Sequence, residues 1–334
     1  MSIKYQILDY EMVHWAEKDL FIAHKGTTIT YILNGRKHEI KMPDQDLKWK
    51  RLFLISRKAR RLSRLDKAMI VPTEDGFVFV RLGEIYSYSI NNSEWKRADV
   101  SLNCRNPMYN ALMTCPSGIY LGEYGNANGI GKRILRSLDE GKTWTTVYQF
   151  SPESIRHIHC VAWDPYEKCV WVFTGDSDNE CRVLKADPDF EKVTEIGSGS
   201  QKWRACHALF TPETVEWFMD CPLEEVHLIR YHRGKNEIEI DKSFHGPVWF
   251  AHKYDNYALA ASAQEIGPSH KDKKLHLYRS DDMKTWHEIA TFEHDGWPKK
   301  YFRFGTMTFS RGCLPFISCE GVRGLDGKSF LYKD

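Results

Sequence analysis

Short apolar segments recur along the chain, and each ends near polar turn residues. The clearest is Ile134-Leu135-Arg136-Ser137, whose mixture of apolar and polar side chains is typical of a partly buried strand. Similar segments return at intervals of about 45–54 residues, the spacing of repeats that each contain several strands. They are Tyr31-Ile32-Leu33-Asn34, Tyr86-Ser87-Tyr88-Ser89, Ile134-Leu135-Arg136-Ser137, Val183-Leu184-Lys185-Ala186, Leu228-Ile229-Arg230-Tyr231, Leu277-Tyr278-Arg279-Ser280 and Leu331-Tyr332-Lys333-Asp334. The pattern predicts seven repeats in 334 residues.

The segment ending at Ser137 continues into a distinctive turn, Ser137-Leu138-Asp139-Glu140-Gly141-Lys142-Thr143-Trp144. In such a turn Ser and Asp bond the local backbone, Gly accepts a positive φ, and Trp packs underneath. Weaker versions occur at residues 280–286 and 89–95. We expect each of these turns to join the third and fourth strands of its repeat.

Together these patterns predict an all-β fold, a seven-bladed β-propeller with four-stranded blades that forms one domain over residues 1–334. The final repeat ends at Asp334 with no room for a fourth strand. Residues 3–8 are therefore predicted to pair with the last blade and close the ring, which removes an open sheet edge.

Composition indicates which binding partners and which cellular location to expect. A formal net charge of +2 does not favour nucleic acid or an anionic membrane. Residues 1–18 lack an apolar signal segment and no apolar run is long enough to span a membrane, so a cytoplasmic location is expected. The nine cysteines form no CxxC pair and are expected to be reduced, mostly buried thiols. The basic run at residues 57–64 is expected to be a solvated loop or the start of a blade, with anion binding as the alternative.

Charged residues recur where the second strand of a repeat ends and the first begins, two positions that lie on the same face of a blade. Carboxylates follow the second strands at Glu123, Asp176 with Asp178, Asp220, Glu265 and Glu320. Arginines precede the first strands at Arg156, Arg204 and Arg303. Turns favour acidic residues in general, which is one explanation. The other is a charged pocket at the central channel, where the arginines bind a substrate carboxylate.

His157 and His159 are the sharpest local feature, because side chains two positions apart on a strand share a face. One of them is a candidate general acid or base, and with Asp176 or Asp178 the pair is a minor candidate for a divalent metal site. A hydrogen-bonded structural pair is the third alternative. We expect no cofactor.

Three aromatic residues are further candidates. Tyr124, beside Glu123, is a candidate nucleophile or acid, with packing as the alternative. Trp203 and Trp249 precede or begin inner strands and are candidates for stacking on a sugar ring, with core packing as the alternative.

The turn motif, the sevenfold repeat and the charged residues at the strand ends resemble those of the sialidase superfamily of BNR-repeat, Asp-box β-propellers. More narrowly, the chain is similar to bacterial sialidase-like proteins often encoded in polysaccharide gene clusters. The stretches that carry this narrower resemblance are Arg156-His157-Ile158-His159, Asp164-Pro165-Tyr166, Thr174-Gly175-Asp176-Ser177-Asp178 and Trp203-Arg204-Ala205.

The resemblance implies a carbohydrate-active protein. Sialidases bind the sialate carboxylate with three arginines, for which Arg156, Arg204 and Arg303 are the candidates, and use a Tyr nucleophile paired with Glu and an Asp acid/base. Their Arg-Ile-Pro motif is absent here. Some other seven-bladed propellers are uronate lyases that use His and Tyr, which implies roles for the histidine pair and Tyr124, with Arg204 neutralising the uronate.

The resulting hypothesis is a glycoside hydrolase or uronate lyase that acts on an acidic oligosaccharide or polysaccharide. The alternative is a non-catalytic propeller that binds a glycan or a protein partner in bacterial polysaccharide biosynthesis. The missing Arg-Ile-Pro motif and secretion signal favour that alternative. In an enzyme, an Arg, a His and a carboxylate are expected to converge within about 3–5 Å. The sequence indicates neither the sugar nor the oligomeric state.

Overall fold

A computed structural model describes residues 4–43, 50–125, 129–265, 267–270 and 272–333. It contains seven sheets, each of four antiparallel strands. These are the blades of a seven-bladed β-propeller, so the fold class expected from the repeats is confirmed.

The strands follow one another along the chain with mostly short connections. The first are β1 (Lys4–Leu8), β2 (Met12–Ala16), β3 (Leu20–Lys25), β4 (Thr28–Leu33), β5 (Arg36–Lys41), β6 (Met69–Pro72), β7 (Gly76–Arg81), β8 (Glu84–Ser89), β9 (Glu94–Arg97), β10 (Leu112–Cys115), β11 (Gly118–Gly122), β12 (Arg133–Ser137), β13 (Thr145–Gln149) and β14 (His157–Asp164). The others are β15 (Cys169–Gly175), β16 (Arg182–Ala186), β17 (Val193–Ser198), β18 (Leu209–Phe210), β19 (Thr214–Phe218), β20 (Val226–His232), β21 (Glu237–Phe244), β22 (Val248–Lys253), β23 (Ala258–Ser262), β24 (Lys274–Ser280), β25 (His287–Glu293), β26 (Thr306–Phe309), β27 (Phe316–Glu320) and β28 (Lys328–Lys333). Helices are short: α1 (Arg57–Ser63), α2 (Lys299–Phe302) and 3₁₀ turns at Lys50–Leu54, Tyr109–Ala111, Asp178–Glu180 and Gln201–Trp203.

The chain divides into two compact units. The four-blade unit comprises Ala68–Cys221 and Val226–Phe244 and contains the sheets β6 to β9, β10 to β13, β14 to β17 and β18 to β21. The three-blade unit comprises Met1–Lys67, Pro222–Glu225 and His245–Asp334 and contains β2 to β5, β22 to β25 and the sheet β1-β28-β27-β26. That residues 1–334 form one domain stays a prediction.

Burial follows the order of strands within each sheet. Every residue of β7, β15, β19 and β23, all second strands, is buried, whereas the fourth strands β5, β9 and β13 have no buried residue. Their sequences differ accordingly: Cys169-Val170-Trp171-Val172-Phe173 in β15 is an apolar run, as expected of a strand covered on both faces. The core of the four-blade unit therefore includes side chains from neighbouring sheets, such as Ile134, Ile158 and Val172.

The apolar segments that define the repeat are the third strands. They lie in β4, β8, β12, β16, β20, β24 and β28, each the third strand of its sheet. This confirms the sevenfold register inferred from sequence.

The Ser137 turn joins β12 to β13, as predicted. Ser137 Oγ accepts the Gly141 N–H at 2.8 Å, and Asp139 Oδ1 accepts the Thr143 N–H at 2.8 Å. The indole N–H of Trp144 donates to the Gly141 carbonyl at 3.0 Å. The turn is therefore held by the side chains that mark it in the sequence.

The two weaker turns keep part of this pattern. Asp282 Oδ1 accepts the Thr285 N–H at 2.7 Å, and Met283 has a φ of +63°, close to the +62° of Glu140 in the first turn. In the third turn, Ser89 Oγ accepts the Asn92 N–H at 3.1 Å.

The N-terminal strand completes the last blade. β1 pairs with β28 in antiparallel register, with Tyr5 opposite Tyr332 and Ile7 opposite Phe330. The predicted pairing of the chain ends is confirmed. Ile3 and Asp334, which belong to the two predicted segments, lie outside the described residues.

The basic run is not a solvated loop; it precedes β6, the first strand of its blade, which is the other alternative expected from the sequence. Most of it forms α1 (Arg57–Ser63), and Arg61 is only 1% exposed. Carboxylates neutralise the run: Arg57 Nη1 donates to Asp66 Oδ2 at 2.8 Å, and Arg61 Nη1 contacts Asp295 at 2.5 Å. The guanidinium groups can be buried because acidic side chains pair with them.

All nine cysteines lie in the described part of the chain and are in the thiol form, seven of them buried. The expectation of mostly buried thiols is confirmed. No helix in the described ranges is long and apolar enough to span a bilayer.

Candidate functional site

The predicted charged residues occupy the predicted strand ends. The carboxylates follow or end β11, β15, β19, β23 and β27, at Glu123, Asp176, Asp220, Glu265 and Glu320. The arginines precede β14, β18 and β26, at Arg156, Arg204 and Arg303. Those of the first three sheets in this series lie in the four-blade unit, and Glu265, Arg303 and Glu320 lie in the three-blade unit.

A cluster in the four-blade unit is centred on Asp176. His157 Nε2 lies 3.1 Å from Asp176 Oδ2, and His159 Nε2 lies 3.4 Å from Asp176 Oδ1. β14 brings both histidines to this carboxylate because His157 pairs with Gly175, the residue before Asp176. The two imidazoles therefore share one face, as the i, i+2 spacing predicts.

Arg204 links this carboxylate to a second one. Its Nη2 lies 3.3 Å from Asp176 Oδ1, and its Nε donates to Asp220 Oδ2 at 3.2 Å. Its Nη1 also donates to the Asp176 carbonyl at 3.1 Å. One guanidinium group thus compensates two carboxylates, so Arg204 is a positioning residue of the cluster.

Cys206 lies behind this pair. Its thiol donates to Asp220 Oδ2 at 3.2 Å and is 3.7 Å from His159 Nδ1. We call the seven residues Tyr124, His157, His159, Asp176, Arg204, Cys206 and Asp220 the Asp176 cluster. The Asp176 side chain is 28% exposed, whereas those of His159 and Asp220 are 2% and 4% exposed. Asp176 is therefore the carboxylate of the cluster that faces solvent.

Three groups of the cluster have strongly displaced pKa values, and for Cys206 burial, together with the charge of Asp220, raises the pKa of the thiol well above its usual range. Burial alone raises the pKa of Asp176, but hydrogen bonds from His157 and His159 and the charge of Arg204 outweigh it and hold the pKa well below its usual range. Burial raises the pKa of Tyr124 well above its usual range, and the charge of Asp176 raises it further. The carboxylate is ionised and the phenol protonated at neutral pH, an assignment of roles typical of acid–base sites.

Tyr124 packs face to face on His157, with ring centroids 3.8 Å apart and an angle of 11° between the planes. Its backbone also forms a bridge to His157. The contact fixes the imidazole plane beside Asp176, so the three residues form one rigid set.

Glu123 is absent from this set. It is fully buried, and its carboxylate accepts the Asn103 N–H at 2.7 Å and the Arg133 guanidinium at 2.7 Å. It also accepts the Arg133 backbone N–H at 3.0 Å. Glu123 therefore binds the connection before β12 and does not serve as the partner of Tyr124.

Arg156 differs from Arg204 in access. Its side chain is 53% exposed and its Nε donates to Glu180 Oε1 at 3.0 Å. The hydrogen bond to Glu180 raises the pKa of Arg156, and the charge of Asp176 contributes in the same direction. Arg156 directly precedes His157, and its side chain is 53% exposed against 10% for that of Arg204.

The two candidate tryptophans have different surroundings. Trp203 is 7% exposed and covers Gly197, where a Cβ would lie 2.1 Å from the indole. Trp203 is thus part of the core. Trp249, in the three-blade unit, is half-buried and contacts the edge of Phe304 with centroids 5.9 Å apart.

The candidates of the three-blade unit also differ from one another. Arg303 is exposed and Glu265 half-buried. Glu320 is paired with Arg64 at 3.3 Å and with Lys67. Asp178, the remaining strand-end carboxylate of the four-blade unit, is exposed and accepts the Gln201 side-chain amide at 2.8 Å.

Sequence reasoning missed Cys206 and Glu180 as members of the site. Cys206 lies between the 3₁₀ turn Gln201–Trp203 and β18, outside any strand, so strand alternation in the sequence offered no signal for it. Glu180 belongs to a 3₁₀ turn whose capping box with Ser177 is visible in the sequence.

No protein family matches the chain, and no curated protein does. Solved structures do match. The extracellular domain of a proposed one-component system from B. thetaiotaomicron has a TM-score of 0.57 at 11% identity, and the match covers 100% of this chain and 40% of that one. One described as a hybrid two-component system from that organism has a TM-score of 0.60 at 10% identity, with the same coverage.

A proposed 6-phosphogluconolactonase from Bacteroides uniformis ATCC 8492 has a TM-score of 0.47 at 14% identity, covering 75% of this chain and 77% of that one. The chain spans 40% of the length of the first two structures. At these identities the similarity concerns the β-propeller fold alone.

Proposed function

We propose that this protein is a carbohydrate-active enzyme that cleaves acidic glycans by proton transfer at the Asp176 cluster. The observation that carries the proposal is the convergence of His157 and Arg204 on one partly exposed carboxylate, at 3.1 and 3.3 Å. Such an arrangement suits acid–base chemistry better than an aromatic binding platform. The Asp-box turns support a relationship to the sialidase superfamily, which is part of the proposal.

Elimination next to a uronate carboxylate is the reaction that these groups suit best. Asp176 holds Nε2 of His157, which leaves Nδ1, a buried nitrogen without a hydrogen-bond partner among the described residues, to take the proton from the carbon beside the carboxylate once the substrate reaches it. Tyr124 gives its proton to the glycosidic oxygen as the C–O bond breaks. A carbon–carbon double bond forms in the sugar that keeps the carboxylate, and no further reactant is needed.

The protonation state of Tyr124 favours elimination over sialidase-type hydrolysis. A nucleophilic tyrosine needs an ionised or activated oxygen, whereas the pKa of Tyr124 is raised and Glu123 is bound by Arg133. A protonated phenol instead holds a proton that it can donate to the leaving oxygen. Arg156 would bind the substrate carboxylate, because its side chain is 53% exposed although it pairs with Glu180, whereas that of Arg204 is 10% exposed and pairs with Asp176 and Asp220.

The test is turnover of a panel of uronate-containing and sialylated oligosaccharides, followed by mass spectrometry. We expect an unsaturated uronate product. His157→Gln and Tyr124→Phe should each lower the rate by about 10²–10⁴-fold, the range of a lost acid or base. His232→Gln, a half-exposed histidine of the same unit outside the cluster, is the matched control and should leave the rate unchanged.

Other outcomes would overturn the proposal in distinct ways. Hydrolysed products without a double bond would replace the lyase with a glycoside hydrolase. Glycan binding without turnover in the folded protein would favour the non-catalytic alternative in polysaccharide biosynthesis. Equal loss of rate in His232→Gln would show that the effect of His157→Gln is not specific to the site.

A further inference from the structure

His159, Cys206 and Asp220 form a second constellation inside the Asp176 cluster. The side chains of His159 and Asp220 are 2% and 4% exposed, and Cys206 is 1% exposed. Each presents one donor atom: Nδ1 of His159, Sγ of Cys206 and Oδ2 of Asp220. These atoms all lie within 4.8 Å of one another.

The distances between the donor atoms match a tetrahedral metal site. They are 3.5 Å from Nδ1 to Oδ2, 3.7 Å from Nδ1 to Sγ and 3.2 Å from Sγ to Oδ2. Bonds of 2.0–2.3 Å to a tetrahedral zinc ion place its ligand atoms about 3.3–3.6 Å apart. The three atoms are thus spaced as three corners of such a site.

The opposite nitrogen of His159 supplies an independent observation. Its Nε2 lies 3.4 Å from Asp176 Oδ1. Histidines that bind a metal through one nitrogen usually donate the other N–H to a carboxylate, which fixes the tautomer and the ring. His159 has this arrangement, with the donor set on one side and Asp176 on the other.

We propose that His159, Cys206 and Asp220 bind a divalent transition-metal ion, with Zn²⁺ the best fit to one nitrogen, one sulfur and one oxygen donor. A thiolate and a carboxylate neutralise the charge of the ion, and Arg204, 3.2 Å from Asp220 Oδ2, orients that carboxylate. The inference does not rest on the proposed glycan chemistry, whose acid and base are Tyr124 and His157.

Another set of potential metal ligands lies in the four-blade unit. Among the described residues, Asp164, Glu167 and Cys169 form a second group with suitable spacing. There the Arg233 Nη1 contacts both carboxylates, and no histidine contributes. A guanidinium group contacts a carboxylate in both groups, so the histidine donor is what distinguishes the group of His159, Cys206 and Asp220.

The test uses the full chain carrying Cys313→Ser, because Cys313 is the exposed cysteine and would bind metal adventitiously. We expect one equivalent of Zn²⁺ to bind, measured by calorimetry and elemental analysis. Co²⁺ in its place should produce thiolate-to-cobalt charge-transfer absorption, the signature of a sulfur ligand. Asp176→Asn should keep that absorption while weakening affinity about 10–100-fold, as loss of a carboxylate behind a ligating histidine does.

Cys206→Ser in the same background should abolish the charge-transfer absorption, and Cys319→Ser, a buried thiol of the other unit, should retain it. Absence of stoichiometric Zn²⁺ or Co²⁺ binding by the folded Cys313→Ser chain would overturn the proposal. So would charge-transfer absorption that persists in Cys206→Ser. If Cys206→Ser does not fold, the spectrum of the parent and His159→Gln decide the question, since an unchanged spectrum in His159→Gln excludes the site.

Discussion

Glu216 illustrates how burial alters a single carboxylate. It lies in β19 with 2% exposure. Thr214 Oγ1 donates to its Oε1 at 2.9 Å, and Arg230 Nε lies 3.4 Å from its Oε2. Burial raises the pKa of Glu216 to about 6, and the charge of Arg230 offsets only part of the effect.

This raised pKa predicts a pH dependence of stability. The folded state binds the Glu216 proton more tightly than the unfolded state, whose pKa is about 4.5. Below pH 4.5 Glu216 is protonated in both states and does not change the free energy of unfolding. Between pH 4.5 and 6 its ionisation lowers the free energy of unfolding increasingly. We expect the free energy of unfolding of the wild type, relative to Glu216→Gln, to fall by about 2 kcal/mol across that window.

Chemical denaturation at several pH values measures this difference. Glu239→Gln is the matched control, because Glu239 contacts the same Arg230 at 3.5 Å but its side chain is 52% exposed. Its profile should run parallel to that of the wild type. A parallel profile for Glu216→Gln as well would refute the assignment.

Burial also distinguishes the strand-end carboxylates from one another. Glu123 and Asp176 both follow a second strand, yet Glu123 is fully buried against Arg133 while Asp176 is partly exposed between two histidines. Chemistry at a given register position therefore depends on the side chains that surround it.

At the scale of the element, the Ser137 turn depends on Gly141. This residue has a φ of +83°, and a Cβ there would lie 2.2 Å from Cγ2 of Val78 in the neighbouring sheet. Gly199 has the same φ of +83° with nothing within 4 Å of the added atom. Alanine substitutions at the two positions therefore separate the cost of the positive φ from the cost of the clash with Val78.

Gly141→Ala should therefore destabilise the fold more than Gly199→Ala. The backbone term, about 1–2 kcal/mol, applies to both, whereas overpacking adds about 1–3 kcal/mol to Gly141→Ala alone. Thermal or chemical denaturation of the two variants measures the difference. Equal destabilisation would show that the Val78 contact relaxes without cost.

At the scale of the whole molecule, the pairing of β1 with β28 joins the two ends of the chain. Four of the five residues of β1 are exposed, so little apolar surface is buried there. The contribution of β1 is chiefly the ladder of backbone hydrogen bonds and the cover it gives to the edge of β28.

Deletion of residues 1–8 should lower the free energy of unfolding by roughly 2–5 kcal/mol, from several lost backbone hydrogen bonds. It should also increase self-association, because the edge of β28 becomes available for pairing. Denaturation and concentration-dependent light scattering test both effects. A chain that begins at Lys4 keeps the whole strand and serves as the control, and behaviour identical to this control would contradict the prediction.

The sequence by itself determined the strands, their grouping in fours and the turn chemistry. These follow from local rules: apolar runs in buried strands such as β15, hydrogen-bonding side chains at the Ser137 turn, and a repeat length that sets the number of blades. The strand-end carboxylates and the shared face of His157 and His159 were predictable for the same reason, since alternation along a strand is a local property.

The tertiary structure decided which of these residues meet. Arg204 and Asp220 join the histidines because β14, β15, β18 and β19 lie side by side in one compact unit, a contact that spans residues far apart in sequence. The burial of Trp203 and Arg61 and the approach of Cys206 to His159 have the same origin. Side-chain contacts between neighbouring sheets depend on packing and on charge compensation in a low-dielectric interior, which no local pattern encodes.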